Sequence, residues 1–219
     1  MKEVVVYPFQ PRDIKRGSVI LIIGRRWHGK TSLATALALQ LGHYGVRMSH
    51  VPTNGGPHWP ATFPRLKYNY DNEKYAISLC NKNAKPSVIV YDDIIPDTRF
   101  WESEVLKDLL MNGRWRGITT IITMQWMDPS ILPFARANVD YVFCFKEEYP
   151  MNRRRTWEYF GGVWEYQKFD EVFKLTTLPY ETFVISQNDL QRRFFWYKNP
   201  LFPKFVNGKL QHQPFIAKL

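Results

Sequence analysis

Residues 18–31 read SVILIIGRRWHGKT, an apolar run that stops on glycine, followed by four bulky or charged residues and then Gly29, Lys30 and Thr31. A short apolar run bounded by glycine suits a buried strand. Behind it, Lys30–Leu41 carries Leu33, Leu37 and Leu41 four apart with Gly42 after them, which predicts a helix and its stop. Strand, GxxxxGK[ST] and helix together make the P-loop signature. Gly24 and Gly29 let successive backbone N–H groups turn inward, and the helix N-terminus adds its dipole, so the loop offers an anion cradle. On this reading the stretch Gly24, Arg25, Arg26, Trp27, His28, Gly29, Lys30, Thr31 and Ser32 wraps the phosphates of a nucleotide. Lys30 reaches the β- and γ-phosphates and the Thr31 hydroxyl ligates Mg²⁺. Because the backbone does the binding, the side chains of residues 25–28 face outward, where bulk is tolerated. Arg25 and Arg26 are either solvated surface charges or phosphate sensors. A chance glycine-rich turn is the competing reading, and both flanks argue against it.

A partner for that loop lies some sixty residues on. VIVYDDI, residues 88–94, is an apolar strand ending in two carboxylates, the Walker B form. Asp92 is expected to hold Mg²⁺ through water, and Asp93 to sit beside an attacking water as general base. Alone the pattern is weak, because turns use aspartate freely; behind a P-loop it is strong. A further strand, ITTIITMQ, ends at Gln125. Placed between the two Walker strands, Gln125 either orients water and reports the γ-phosphate or is an ordinary strand-end glutamine.

The bulk properties agree with a globular enzyme. The 219 residues are 45% hydrophobic and 23% charged, a balance that supports a packed core. A formal net charge of +10 favours a polyanionic partner. Cys80 and Cys144 stand apart with no CxxC, and the five histidines are scattered, so neither a disulfide framework nor a zinc cluster is indicated. A reducing setting is expected. No apolar stretch approaches the roughly 18 residues of a membrane span, and MKEVVVYPFQPRD is broken too soon by proline to be a leader. Strands are expected at Val19–Ile23, Arg47–Val51, Val88–Tyr91, Ile118–Thr123, Val139–Phe145, Thr182–Ser186 and Phe194–Tyr197. A second helix is expected over Phe100–Asn112, with Gly113 beyond its end. Alternation of strands and helices predicts an α/β chain with a mainly parallel sheet. One domain spans residues 1–219, with a core over 18–198 and an extended, proline-containing tail over 199–219.

The order of motifs resembles the FtsK–HerA translocase ATPases, and most closely the poxvirus-type genome-packaging ATPases of double-jelly-roll DNA viruses. The likeness covers about residues 18–165. It rests on the P-loop, YDD, then NGRWRGITTIITMQ (112–125), LPFARANVDYVFCF (132–145) and NRRRTWEYFGG (152–162). The family's Arg-His pair before the sensor strand is matched by Arg114, with Trp115 in place of histidine. Its strand-end glutamine corresponds to Gln125, and its Pro-x-x-x-Arg-x-Asn segment to Pro133, Arg136 and Asn138. Arg155–Thr156 with Gly162 fits the spacing of the family's Ser-Arg-Thr element. By that resemblance Arg155 is the arginine supplied to a neighbouring subunit, with Arg154 and Arg136 as the other candidates.

The resemblance implies a RecA-like (ASCE-type) P-loop domain that hydrolyses ATP with Mg²⁺. It implies a homo-oligomeric ring, hexameric or pentameric, that moves double-stranded DNA without sequence specificity into a capsid. The partners would be DNA and a capsid or portal-vertex protein, in host cytoplasm during assembly or with the virion. Arg25, Lys107, Arg114, Arg116, Arg192 and Arg193 are all candidates for the channel. A cellular or plasmid DNA translocase is the nearest alternative. A small-molecule kinase also joins a P-loop to a basic lid, but would not be expected to carry Asp93 and Gln125 together. An ATP-gated scaffold is the non-enzymatic reading, and the full Lys30, Thr31, Asp92 and Asp93 set argues against it.

Overall fold

A computed structural model describes residues 3–52, 59–83, 86–94, 99–188 and 193–198, with short strands at 205–206, 209–210 and 215–218. The first half of the chain forms β1 (Glu3–Pro8), β2 (Val19–Ile23), α1 (Lys30–Leu41), β3 (Tyr44–Ser49), β4 (Arg65–Lys67), α2 (Tyr70–Lys82) and β5 (Ser87–Asp92). Then follow α3 (Glu104–Arg116), β6 (Ile118–Met124), α4 (Pro133–Ala137), β7 (Tyr141–Cys144), α5 (Pro150–Thr156), α6 (Tyr166–Thr176), β8 (Glu181–Ser186) and β9 (Phe194–Lys198). The terminal strands are β10 (Phe205–Val206), β11 (Lys209–Leu210) and β12 (Phe215–Lys218).

The main sheet runs β12-β1-β9-β8-β7-β2-β6-β5-β3-β4. Its centre, from β7 through β2, β6, β5 and β3 to β4, is parallel throughout. Strands β8 and β9 join antiparallel beyond β7. Every residue of β2, β5, β6 and β7 is buried. That explains why β2 and the middle of β5 read as continuous Val/Ile/Leu runs and why even the threonines of β6 are buried: helices cover both faces of a parallel sheet. One face packs on α1 through Leu33, Ala34, Leu37 and Ala38. The other packs on α2, α3 and α6 through Cys80, Leu106, Leu109, Phe169 and Phe173.

The expected strands are all present, shifted by up to three residues at their ends. The expected helix over Phe100–Asn112 needs correction. Residues Phe100–Glu102 form a 3₁₀ turn, and α3 starts after it with the Ser103 hydroxyl accepting from the Leu106 N–H at 3.2 Å. Gly113 lies inside α3, buried, and the stop is Gly117 at φ 67°. Of the expected tail over 199–219, residues 199–204, with Pro200 and Pro203, and Pro214 lie outside the described residues. Strand β12 pairs with β1 at the sheet edge.

A buried carboxylate ties β5 to the two helices behind it. Glu73 on α2 is fully buried and accepts from the Tyr91 hydroxyl at 2.8 Å and from the Ser103 hydroxyl at 2.7 Å. Burial pushes its carboxyl above the ordinary range, against the downward pull of those two hydrogen bonds. Glu73→Ala leaves the buried Tyr91 hydroxyl and the half-buried Ser103 hydroxyl without this acceptor and should cost about 2–4 kcal/mol, read by urea denaturation. Because the folded-state value is raised, this group favours the folded state most when protonated. Its contribution is fully present below the unfolded carboxyl value and is lost as pH rises through the raised one. The wild type should therefore gain stability relative to Glu73→Gln as pH falls across that window. A difference that stays flat with pH would contradict the assignment.

Candidate active site

The strands β2, β5 and β6 end at one level, and the loops that follow them converge. Register sets this: Ile23 lies beside Met124, and Asp92 beside Thr123. The loop after β2 starts at Gly24, where an added Cβ would stand 2.7 Å from Cβ of Phe145. Only glycine lets the loop leave the sheet so close to β7. Gly29 precedes α1 at φ 95°, in the left-handed region that glycine enters without cost. Between them Trp27 is 96% exposed at φ 66°, and the outward placement of Arg25, Arg26 and Trp27 agrees with a cradle built from backbone. His28 Nδ1 approaches the Arg26 carbonyl at 2.9 Å. Ser32 is buried in the first turn of α1.

Lys30 is buried and its ammonium donates to the Arg25 carbonyl across the loop at 3.2 Å. Desolvation lowers its pKa, while Asp93 and Asp92 push the other way. The Thr31 hydroxyl donates to Asp92 at 3.2 Å and 3.3 Å, and the Thr123 hydroxyl donates to Asp92 Oδ1 at 2.7 Å. Two hard oxygen donors, one in the first turn of α1 and one at the end of β5, thus face each other. A small divalent cation that keeps several waters and shares phosphate oxygens fits that donor set. The neighbouring carboxylate is positioned differently. Asp93 adopts φ 57°, its N–H donates to the Thr123 hydroxyl at 2.9 Å, and Gln125 Nε2 donates to its Oδ2 at 2.9 Å. A non-glycine residue held in the left-handed region costs about 1–3 kcal/mol and is kept where function over-determines it. The described non-glycine residues at positive φ are Trp27, Asp93 and Tyr180. All three lie around the loop, Tyr180 with its ring 3.4 Å from where a Gly29 Cβ would stand.

Beside the loop on the β7 side opens a cavity of about 510 Å³ lined by Arg25, Arg26, Gln125, Trp126, Pro129, Glu147, Tyr149, Asn152 and Arg155. The three consecutive arginines of α5 have separate fates there. Arg153 is buried, paired with Asp170 at 2.5 Å and donating to the carbonyls of Glu147 and Glu148. Arg154 is exposed and pairs with Glu158 at 3.3 Å. Arg155 alone enters the cavity, donating to the Met127 carbonyl at 3.2 Å. Arg136 stands over the Tyr159 ring at 4.2 Å instead. Glu147, which the sequence offers with Glu148 and Glu158 only as a fallback base, is buried in the cavity wall and accepts from the Tyr149 N–H and Asn152 Nδ2, each at 2.9 Å.

The remaining basic residues singled out by sequence are engaged locally. Arg25 pairs with Glu148 at 3.3 Å, Arg116 with Asp108 at 2.5 Å and Arg114 with Asp140 at 3.2 Å. Lys107 lies over the Phe134 ring at 6.0 Å. Arg193 hydrogen-bonds Gln187. Arg192 lies outside the described residues.

A RecA-like P-loop NTPase fold is what the strand order and the glycine-bounded loop between β2 and α1 define. The same fold appears in the genome packaging NTPase B204 from Sulfolobus turreted icosahedral virus 2 in complex with ATP-gammaS, at a TM-score of 0.65 and 13% identity, over 84% of this chain and 98% of that one. The pCW3 conjugation coupling protein TcpA shares it at a TM-score of 0.57 and 13% identity, over 90% of this chain and 65% of that one. The fold implied by the sequence resemblance is therefore the fold observed. Among curated sequences, the chain is 26% identical over 226 aligned positions to uncharacterized protein 088R of Invertebrate iridescent virus 3, covering 93% of this chain and 85% of the relative. It is also 26% identical over 117 residues to uncharacterized protein L437 of Acanthamoeba polyphaga mimivirus. That second match spans 51% of this chain and only 41% of the relative's length. No protein-family model matches the chain.

The two carboxylates should separate by experiment. Asp93→Asn should keep Mg²⁺–ATP binding within a fewfold of wild type and lose turnover by about 10²-fold or more, the usual worth of a general base. Asp92→Asn should weaken Mg²⁺-dependent binding itself. Equilibrium binding of a fluorescent ATP analogue alongside phosphate release checks both. Normal turnover by Asp93→Asn would move the base to Glu147, the buried carboxylate that lines the same cavity as Gln125.

Proposed function

We propose that this chain is an Mg²⁺-dependent ATPase that drives double-stranded DNA into a viral capsid. The observation that carries the proposal is the joint placement of Lys30 and Thr31, at the start of the helix after β2, with Asp92, Asp93 and Gln125 at the ends of the parallel strands β5 and β6. The fold shared with a viral packaging NTPase and the viral relatives support the biological setting. No helix in the described residues is long and apolar enough to cross a membrane.

Each residue has a task that its geometry permits. The backbone of residues 24–31 wraps the phosphates, and Lys30 leaves the Arg25 carbonyl to meet their β- and γ-oxygens. Mg²⁺, when bound at Thr31 and Asp92, supplies positive charge against the same oxygens. Asp93 takes the proton of the attacking water: Gln125 occupies Oδ2 and leaves Oδ1 to accept it. Gln125 also links that carboxylate to the cavity where Arg155 lies, so a change at the γ-phosphate reaches both together. Arg155 meets the charge that develops on the transferred phosphoryl group, a role worth about 10³ to 10⁵ in rate.

Movement of DNA needs a basic surface and a ring. The net charge of +10 supports backbone contacts made without sequence readout, because neutralising phosphates releases counterions whatever the bases are. A homo-oligomeric ring, hexameric or pentameric, with the site near subunit boundaries, completes the proposal, and a capsid or portal-vertex protein is its docking partner.

Duplex DNA should stimulate ATP hydrolysis with no acceptor added. Its affinity should fall by roughly 10³ or more between about 50 and 200 mM salt, when six or more phosphates are engaged. Hydrolysis that ignores DNA and needs a small-molecule acceptor would favour a kinase. Arg155→Ala should keep nucleotide binding and cut turnover by about 10³-fold. Mixing Arg155→Ala with Lys30→Ala subunits reads the direction of supply. Recovered activity in mixed rings means the arginine crosses a boundary, and no recovery means it serves its own subunit, whose cavity it lines.

A further inference from the structure

The Walker B carboxylate already has a cation on it, supplied by a strand that sequence reasoning left out of the site. Arg47 on β3 lies in register with Val90 of β5. In a parallel pair, residues in register share a face, so Arg47 stands on the face of Val90 and Asp92. Its Nη2 is 2.5 Å from Asp92 Oδ2, and the two side chains are 11% and 5% exposed. Asp92 therefore receives Thr31, Thr123 and Arg47 at once.

The rest of the guanidinium is in want of partners. Among the described residues, Nε and Nη1 of Arg47 are buried with no hydrogen-bond partner, although a buried donor is nearly always paired. Across the other side, Arg65 of β4 lies in register with Arg47, and its Nε is likewise buried with no partner among the described residues. Arg65 uses Nη2 on the Trp59 carbonyl at 3.1 Å. Two guanidinium groups thus share one face at the sheet edge. Among the described residues, Asp92 is the ion-pair partner of Arg47.

We propose that Arg47 is a resident counter-cation on Asp92, and that a divalent cation arriving with the nucleotide must compete with it for that carboxylate. This rests on the reading of Thr31 and Asp92 as the cation's protein ligands. Burying Asp92 without a partner would be costly, and a positive charge beside it offsets that cost. Arg47 provides that charge. When a second cation approaches the same carboxylate in a poorly hydrated pocket, the two repel strongly. The affinity of the site for its metal is then set from β3, not from the ligands alone. Residence of Arg47 on Asp92 holds the affinity for metal below what the bare carboxylate would give. Arg47 makes its ion pair with Asp92 and is proposed to act through that carboxylate as a positioning residue.

The test measures binding rather than turnover. A fluorescent ATP analogue is titrated onto the full chain in EDTA, then Mg²⁺ is titrated onto the complex, for the wild type, Arg47→Gln and Arg47→Lys. In EDTA all three should bind within about threefold of one another, since the proposal has Arg47 act on the metal's carboxylate and not on the nucleotide. The Mg²⁺ half-saturation should fall about tenfold in Arg47→Gln, the worth of one charge pair, and stay near wild type in Arg47→Lys, which keeps the charge. An unchanged or higher half-saturation in a folded Arg47→Gln protein overturns the proposal, because Arg47 would then only orient Asp92. If Arg47→Gln does not fold, the wild type still decides. Its Arg47 Nε–H resonance, assigned through Arg47→Lys, should shift when Mg²⁺ joins bound nucleotide and not before, and a static resonance overturns the proposal. Absence of nucleotide binding by the wild type in both media is a separate failure, that of the nucleotide site itself.

Discussion

The hydrogen-bonded register of β2, β6 and β5 fixes where the loop to Lys30, the carboxylates Asp92 and Asp93, and Gln125 begin. Ile23 beside Met124 and Asp92 beside Thr123 bring three strand ends to one level. A slip of one residue in either pairing would turn Asp92 away from Thr31 and send its side chain to the opposite face. The strands hold because they are apolar on both faces and buried between helices, so register is enforced by packing on each side. The chemistry then needs few specialised residues. Thr123, in the middle strand, orders both carboxylates by itself: its hydroxyl donates to Asp92 and accepts from the Asp93 N–H.

Strain and buried charge gather around this line of strand ends. Trp27, Asp93 and Tyr180 occupy the left-handed region close to the loop, and Lys30, Arg47 and Asp92 bring charges out of water within the same few turns. Such features oppose stability. They persist because the sheet and the Glu73–Tyr91–Ser103 cluster behind β5 supply rigid support. Arg153 does the same on the cavity side. It anchors α5 to α6 through Asp170 and grips the backbone at Glu147 and Glu148, which leaves Arg155 directed inward.

Much of this was legible in the sequence where a motif and a period coincide. The loop, α1 and the strands on either side carry glycine spacing, leucines four apart and Val/Ile runs, and each signal points to one structure. Helix α2 was harder, because its buried residues are Glu73, Ala76 and Cys80, small or polar groups that make no apolar stripe. Its readable mark was the cap: Asn69 accepts from the Asn72 N–H at 2.8 Å, with Asp71 and Glu73 following in the first turn. Helix α6 did carry a stripe in Phe169, Val172, Phe173 and Thr176. Gly113 was misread as a stop because a glycine within α3 and one after it look alike until packing is known. Arg47 left no signal at all. An arginine in an edge-side strand reads as a solvent-facing residue, and only the pairing of β3 with β5 places it on Asp92.

The central claim is that the loop after β2 binds and turns over nucleotide through Lys30. Steady-state ATP hydrolysis with Mg²⁺ and duplex DNA, compared between the wild type and a Lys30→Ala protein of equal folded content by circular dichroism, tests it most directly. The account predicts robust hydrolysis by the wild type and a loss of about 10²-fold or more in the variant, since one preorganised cation at the transferring phosphoryl group is removed. Near-normal hydrolysis by folded Lys30→Ala would contradict it.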